Sequence, residues 1–388
     1  MVSRFPLTVA TPRPSQAPTW RQLETEGTEI TTKILRVGIV GCGEVTQIMH
    51  WPSLSQLREL FEVTALCDAS QSIVQTLGKR WNVGFLTTDH RGLISHADVD
   101  VVLVATPNAF HAEATLAAIA AGKHVLVEKP MCVNRREADE VLTAQLRSPV
   151  VVQIGYMRRY APAFLAACEA VKDIGRIKFA RVRDFLGVNS LIISQTSAVV
   201  RDKHSPERVQ QEAIQRDEDL VTEALRGGAA EDLKTVYRLM LGLSSHDLSA
   251  MRELLGMPRK VLFAAQRAEG HYLAAAFDYG SYVCQFETGI DQIPRFDAHL
   301  EVFGEQKVLR VQYDTPYVRN LPIRVFTTEA NAQGGVTTID SHPAWGDPFV
   351  AQWKAFYKNV TENLKPKSGP SDFILDLQLF NEMTRLMR

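Results

Sequence analysis

The sequence "ILRVGIVGCGEVTQI", residues 34–48, joins an apolar strand to a helix through a turn that contains two glycines. Glycine at positions 41 and 43 permits a tight bend and lets another group approach the backbone closely. The N-terminus of the following helix directs N–H groups and positive partial charge toward the turn, an arrangement that binds pyrophosphate. Thr46 occupies the place of a usual third glycine or alanine. The turn and its context predict a dinucleotide-binding fold.

Short apolar strands and helical segments alternate after this turn. The strands are predicted at 61–68, 98–107, 123–130 and 149–157, which indicates βαβ units and a parallel sheet covered on both faces. Between 259 and 329, by contrast, successive strands are joined by turns that contain glycine, which is typical of antiparallel pairing. We therefore predict an α/β protein, with an N-terminal Rossmann doubly wound parallel sheet and a C-terminal α/β domain that has a large open, mainly antiparallel sheet.

The predicted organisation has three regions. A flexible N-terminal extension spans 1–33, a nucleotide-binding Rossmann domain 34–158, and a substrate and oligomerisation domain 159–388, whose last helices can pack back on the Rossmann domain. The extension is rich in proline and has no acid before Glu24, which is also compatible with a mitochondrial transit peptide. The charged stretch at 201–226 is interpreted as a solvated helix in preference to a lid over substrate.

Composition excludes several classes of partner. Lysine and arginine number 43 against 44 acids, so the net charge of −1 gives no field that favours nucleic acid or an anionic membrane. No apolar run reaches the roughly 18 residues of a membrane span. The five cysteines have no C-x-x-C spacing, which indicates neither a disulfide framework nor a metal site. We expect a cytoplasmic protein with a small-molecule substrate and no bound metal.

The ends of two further strands supply candidate cofactor contacts. Asp68 ends the second strand, where a carboxylate can accept hydrogen bonds from ribose hydroxyls and repel a 2'-phosphate, so NAD is preferred over NADP. The alternative role for Asp68 is to cap the helix that starts near Ser70. The next long strand ends at Thr106-Pro107, and ligands bind at this carboxyl edge of a parallel sheet.

Asn108 and His111 follow at the same edge, where the next helix begins. Both are expected to flank the cofactor because of their place beside the glycine turn. The alternative for His111 is a partly exposed histidine without function.

Three motifs together resemble the glucose-fructose oxidoreductase, inositol dehydrogenase and MocA (Gfo/Idh/MocA) family. They are the glycine turn, "ATPNAFHAEATLAAIAAGKHVLVEKPM" at 105–131 and "VQIGYMRRYAPAF" at 152–164. The resemblance runs from about residue 34 to 388 and is strongest in 34–160. It implies a dehydrogenase or reductase that uses NAD(P) on a sugar, polyol or other cyclic alcohol. It also implies a homo-oligomer, a dimer or tetramer, formed through the C-terminal sheet.

The resemblance implies that Lys129, in the Glu-Lys-Pro motif, hydrogen-bonds the reacting oxygen. The residue before a proline is held in extended backbone, and the Lys129-Pro130 bond can be cis. Burial would lower the pKa of Lys129, whereas Glu128 would raise it.

The family's second catalytic residue is a histidine near a helix start, which corresponds to His246. Leucines and Met251 follow it at helical spacing, but the family's aspartate four residues earlier is Gly242 here. The alternative is a structural histidine at a helix start. Asp247 is expected to orient the histidine or bind substrate, with a helix-capping charge as its alternative.

The matched segments complete the expected site. The expected cofactor-binding residues are Gly41, Gly43, Glu44, Val45, Asp68, Thr106, Pro107, Asn108, His111, Glu128, Lys129 and Arg158, and the expected substrate contacts are Tyr156, Tyr160, Asp247 and Trp345.

Three functions compete at this stage. The leading hypothesis is hydride transfer between nicotinamide C4 and a secondary alcohol or ketone. The first alternative is NAD-dependent elimination, such as glycosidase chemistry without net redox. The second is a regulatory protein that binds NAD(H) without catalysis, which the glycine at 242 favours.

Overall fold

The computed structural model describes residues 33–202 and 207–388, and Ile34–Arg388 form one compact unit. The predicted N-terminal extension lies almost wholly outside the described residues. In the described part, no helix combines the length and apolar character needed to cross a membrane.

A six-stranded parallel sheet forms the first half, in the order β3-β2-β1-β4-β5-β6. The predicted Rossmann topology is thereby confirmed, and Phe85–Thr87 and His90–Ile94 add a short strand and helix that we did not predict. The elements are β1 (Leu35–Val40), α1 (Trp51–Gln56), β2 (Phe61–Cys67), α2 (Gln71–Trp81), β3 (Phe85–Thr87), α3 (His90–Ile94), β4 (Val101–Val104), α4 (His111–Ala120), β5 (His124–Val127), α5 (Arg135–Leu146) and β6 (Val152–Ile154).

An eight-stranded sheet forms the second half, in the order β14-β13-β12-β11-β7-β10-β9-β8. Every neighbouring pair is antiparallel except β7 and β10, so the prediction of a mainly antiparallel sheet is confirmed. Its elements are α6 (Pro162–Ala170), β7 (Phe179–Leu186), α7 (Ser190–Thr196), α8 (Glu207–Ala224), α9 (Glu231–Leu239), α10 (Ser245–Leu255), β8 (Lys260–Arg267), β9 (Tyr272–Asp278), β10 (Val283–Ile290), β11 (Phe296–Phe303), β12 (Lys307–Tyr313), β13 (Arg324–Ala330), β14 (Val336–Ser341), α11 (Pro348–Thr361) and α12 (Pro370–Leu386).

The helix that carries His246 differs from the prediction. His246 was expected near a helix start, but a π-helical turn, Met240–Ser244, joins α9 and α10 without interruption. His246 therefore lies inside a long helix and not at a helix start. A π turn widens the backbone locally and is frequent at functional sites.

The helix α11, the last but one in the chain, packs against the parallel sheet. Trp353 and Phe356 are fully buried in one apolar cluster with Leu35, Val37 and Ile39 of β1. Because β1 ends at the glycine turn, residues more than 300 positions later in the chain help to hold that turn in place.

The two glycines of the turn have different physical roles. Gly41 has φ of +98°, and a Cβ placed there would lie 2.3 Å from the carbonyl oxygen of Ala105. A Cβ at Gly43 would have no atom within 4 Å. Thr46, in place of a third glycine, donates its hydroxyl to the Gly41 carbonyl at 2.6 Å. Gly41 is thus required by the fold, and Gly43 leaves open space beside the turn.

We expect Gly41→Ala to lower the free energy of unfolding by about 3 kcal/mol, since both the backbone angle and the approach to Ala105 must change. Gly43→Ala should change it by less than about 1 kcal/mol. Urea denaturation of both variants and the parent measures this difference. Equal destabilisation by the two substitutions would contradict the assignment.

Candidate active site and cofactor cleft

A cavity of about 800 Å³ opens beside the glycine turn. It is lined by Gly41, Gly43, Asp68, Thr106 and Pro107, which lie at the ends of three neighbouring parallel strands. The Thr106 hydroxyl is buried there without a protein partner among the described residues. An open glycine turn, a carboxylate placed to accept from ribose hydroxyls and an unsatisfied hydroxyl together fit a dinucleotide. Five of the expected cofactor residues therefore share one cleft.

Asp68 does not cap α2. That position is held by Ser70, whose hydroxyl accepts from the Ile73 N–H at 3.2 Å. The Asp68 carboxylate instead accepts from Cys42 N on one oxygen and Ser70 N on the other, each at 2.9 Å. Since each carboxylate oxygen has a second acceptor site, both can still receive a ribose hydroxyl.

Several expected cofactor residues lie beside the cleft without lining it. Glu44 forms an ion pair with Arg201, and Val45 packs against an apolar cluster. Asn108 borders a neighbouring groove. His111 is buried, with Nδ1 2.6 Å from Pro130 O and Nε2 2.8 Å from Thr106 O. It joins the two strand-end loops and offers neither ring nitrogen to the cleft.

Glu128 is also directed into the protein. Its carboxylate is 2.9 Å from His50 Nε2, and the Trp353 indole donates to His50 Nδ1 at 3.1 Å. Because an indole can only donate, Nδ1 must accept, so the proton lies on Nε2 and is donated to Glu128. Gly155 makes room for this arrangement, since a Cβ there would be 2.8 Å from Glu128 Oε1. Glu128 thus anchors the strand end and does not contact the cleft.

Lys129 follows directly and points the other way. Its ammonium donates to the Gly242 carbonyl at 2.7 Å, and the Lys129-Pro130 peptide is cis. Burial lowers the pKa of Lys129, Glu128 opposes this shift, and the net pKa lies below its usual value. The competition between these two effects, which the sequence left open, is therefore decided by burial.

A second cavity, of about 500 Å³, contains Lys129 and His246 together. Burial, and then the positive charges of Lys129 and Arg158, hold the pKa of His246 well below its usual value. His246 Nδ1 has no protein partner in the described part of the chain. A neutral imidazole and a buried ammonium therefore face the same cavity, which pairs a proton acceptor with a hydrogen-bond donor.

Arg158 lies in this second cavity and not in the cofactor cleft. Its Nη1 is 2.8 Å from Asp184 Oδ2 and 2.5 Å from Asp247 Oδ1, and its guanidinium lies 5.0 Å from the Tyr313 ring centre. Burial raises the pKa of Asp247 well above its usual range. The positive charge of Arg158 opposes this shift, and the negative charge of Asp184 adds to it. The guanidinium of Arg158 is thus shared between the two buried carboxyl groups of Asp184 and Asp247.

The remaining expected substrate contacts lie outside the cavity. Tyr156 is fully buried and donates its hydroxyl to Asp376 at 2.7 Å, and the Tyr160 hydroxyl bonds Ser368 at 2.8 Å. Both tyrosines hold α12 and its preceding loop. Trp345 is 69% exposed and stacks on His342, so it borders neither cavity. An aromatic residue in the sequence signals burial or packing as often as ligand contact, and the structure places these three side chains in packing positions.

Sequence reasoning also missed several residues that shape the site. Asp184 lies in β7, whose sequence contains no recognised motif, and His50 lies two residues after the quoted glycine segment 34–48. Both become significant only through partners 26 to 303 positions away in the chain. The only signal for His50 in the sequence was that it is a polar residue on an otherwise apolar helix face after the glycine turn.

Comparison with known proteins is consistent with this architecture. Residues 35–156 match the model of an oxidoreductase family with an NAD-binding Rossmann fold. The chain is 24% identical to a myo-inositol 2-dehydrogenase of Thermotoga maritima over 87% of its own length and 92% of that protein's. Other curated relatives, at 29–33% identity, are matched over only half of their length or less.

Two solved structures show the same fold. The 3-ketoreductase KijD10 of Actinomadura kijaniata, in complex with NADP and TDP-benzene, superposes with a TM-score of 0.70 at 20% identity, covering 92% of this chain and 98% of that one. A levoglucosan dehydrogenase in complex with NADH and levoglucosan gives 0.70 at 18% identity, covering 91% and 97%. The nucleotide-binding half of this chain thus matches the Gfo/Idh/MocA family of oxidoreductases, and the two solved structures share its fold over 91–92% of the chain.

Proposed function

We propose that this protein is an NAD(P)-dependent oxidoreductase that transfers hydride between nicotinamide C4 and the carbon of a secondary alcohol or ketone. The observation that carries the proposal is the convergence of Lys129 and His246 on one cavity. That cavity borders the carboxyl end of β5, in the same parallel sheet whose β1 leads into the glycine turn. Ligands of such sheets bind at this edge.

The roles of the two side chains follow from their chemistry. The nicotinamide cofactor, when bound, supplies the hydride acceptor or donor. An ammonium has three N–H donors, so Lys129 can keep its bond to Gly242 and still donate to the substrate oxygen. It stabilises negative charge that develops on that oxygen. His246, held neutral by burial, accepts the hydroxyl proton during alcohol oxidation and returns it in the reverse direction.

The lining of the cavity indicates a substrate of mixed polarity. Apolar side chains of Leu186, Leu243, Ile290 and Phe296 share it with polar groups such as Asn189. A sugar, polyol or other cyclic alcohol has hydroxyls on its ring carbons and apolar C–H faces, and it suits such a surface. The names of the T. maritima relative and of the levoglucosan enzyme point to the same class.

We further propose NAD as the preferred nucleotide, because Asp68 retains acceptor sites for both ribose hydroxyls and its charge opposes a 2'-phosphate. The family uses both nucleotides, as the NADP and NADH complexes indicate.

We also propose a homo-oligomer formed through the eight-stranded sheet. Leu262 and Phe263 of β8 and Ile339 of β14 are about half exposed, although they lie on sheet strands. Burying such side chains against a second copy would remove apolar area from water.

Replacing Lys129 with methionine tests the proposed role most directly. We expect Lys129→Met to lower kcat by about 10³-fold, the scale of losing one charged donor to a developing oxyanion. The dissociation constant for NADH should stay within about three-fold, since Lys129 lies outside the nucleotide cleft. Steady-state kinetics on polyols and a fluorescence titration measure the two quantities. The exposed Lys354→Met is the matched control, and unchanged turnover in Lys129→Met would refute the proposal.

The pH profile should reflect the lowered pKa values of both groups. Alcohol oxidation needs neutral His246 and charged Lys129. The acid limb of kcat/KM should therefore lie below pH 6.5, and the basic limb below 10.5, the usual values of the two groups. We expect His246→Gln to abolish the acid limb. An acid limb at or above pH 6.5 in the parent enzyme would contradict the environment assigned to His246.

Restoring the family aspartate tests the significance of Gly242. A Cβ at 242 would meet no atom within 4 Å, so the backbone accepts a side chain there. We expect Gly242→Asp to raise the pKa of Lys129, and with it the basic limb, by about one unit because a nearby carboxylate favours the ammonium. Gly242→Ala should leave that limb in place. Equal shifts of the basic limb in Gly242→Asp and Gly242→Ala would show that replacing the glycine in the helix, and not adding a carboxylate, moves the pKa of Lys129.

A further inference from the structure

A short piece of the second half crosses the nucleotide-binding turn. Residues 198–202, here the crossing segment, follow α7 and lie against the glycine turn. The Gln47 side chain exchanges two hydrogen bonds with the backbone of Val200, at 2.8 and 2.9 Å. The same amide donates to the carbonyl of Cys42, between the two glycines, at 2.8 Å. One side chain thus fastens the crossing segment to the turn itself.

Two further contacts extend the crossing segment along the cleft. Arg201 forms an ion pair with Glu44 at the start of the helix after the turn. Asp202 Oδ2 accepts a hydrogen bond from the hydroxyl of Ser70. Since the Ser70 N–H is bonded to Asp68, the carboxylates of Asp68 and Asp202 both contact Ser70.

We propose that Asp202 is a second acidic determinant of nucleotide choice, which selects NAD over NADP from outside the Rossmann half. The inference rests on the proposed function, because it assumes that a dinucleotide occupies the cleft. Its ribose hydroxyls lie at Asp68, so a 2'-phosphate would enter the space next to Ser70. The hydroxyl of Ser70, which could otherwise donate to that phosphate, is committed to Asp202.

Charge in the surrounding cleft strengthens the argument. The cleft lining contains Asp68, Glu113 and Glu212 but, among the described residues, no lysine or arginine. A phosphate carries a charge of about −1.5 to −2 at neutral pH and needs such cations or free donors.

Nearby basic groups are already engaged. Arg201 pairs with Glu44, Arg216 pairs with Glu113, and His90 lies 3.8 Å from Glu113. Arg80 of α2 donates to the carbonyl of Ala198 at 3.5 Å. Arg80 keeps its charge and its other donors but does not line the cleft, so a 2'-phosphate would meet carboxylates and, among the described lining residues, no lysine or arginine.

The test removes the charge and keeps the shape. Asp202→Asn retains an oxygen that can accept from Ser70, and the full-length protein is titrated with NADH and with NADPH by nucleotide fluorescence. We expect the dissociation constant for NADPH to fall by about ten-fold as one repulsive charge is lost, while that for NADH changes by less than about three-fold. Asp219→Asn, an exposed acid on α8 that bonds Gln215 and not Ser70, is the control and should change neither.

The outcomes separate this inference from the proposed function. An unchanged ratio of NADH to NADPH affinity in Asp202→Asn, repeated in Asp202→Ser, would overturn the role of Asp202. Equal affinity of the parent protein for NADPH and NADH would also overturn the role of Asp202, but it would leave the oxidoreductase proposal standing. Failure of the parent to bind either nucleotide would overturn both. Circular dichroism of each variant verifies that it is folded.

Discussion

The hydrogen bond from Lys129 to the carbonyl of Gly242 is the contact on which the arrangement of the site depends. It joins the end of β5 in the parallel sheet to the π turn between α9 and α10, 113 residues later. A regular α-helix uses its backbone carbonyls in its own ladder, whereas a π turn disturbs that ladder and can leave a carbonyl for an external donor. The lysine is therefore positioned by a backbone carbonyl of the π turn.

Buried charges around this contact are stabilised in small groups. The charge of Glu128 is stabilised by hydrogen bonds from His50 and from the backbone, and Arg158 balances Asp184 beside a carboxyl of raised pKa. Removing one partner of such a buried pair costs about 3–5 kcal/mol because the other charge stays behind. The cavity thus has rigid polar walls, while Lys129 and His246 remain the groups with spare hydrogen-bonding capacity.

The fold and one half of the site could be predicted because their signals are local. A glycine turn between a strand and a helix, and a lysine before a proline at a strand end, each lie within a few residues of one another. The walls of the site could not be predicted, because Asp184, His50 and Trp353 acquire their roles through contacts with distant positions. The positions of Tyr156 and Tyr160 outside the cavity could not be predicted for the same reason, since their hydroxyl partners Asp376 and Ser368 lie more than 200 positions later in the chain.

The charged stretch at 201–226 was interpreted as a solvated helix, and this is correct for only one of its faces. Leu220 and Val221 of α8 are buried, and residues near its start line the nucleotide cleft, not the substrate cavity. Charge density alone could not distinguish a face that meets water from one that meets a cofactor.

The crossing segment lies, along the chain, between residues that border the two cavities. The Thr196 hydroxyl, at the end of α7, is 3.2 Å from the carbonyl of Tyr317, and Tyr317 lines the substrate cavity. Val200, which bonds Gln47 beside the glycine turn, comes four positions after Thr196. A ligand that displaced Tyr317 together with this stretch of backbone would link the free energies of occupying the two cavities. Thermodynamic reciprocity would then require each occupant to change the affinity of the other by an identical factor.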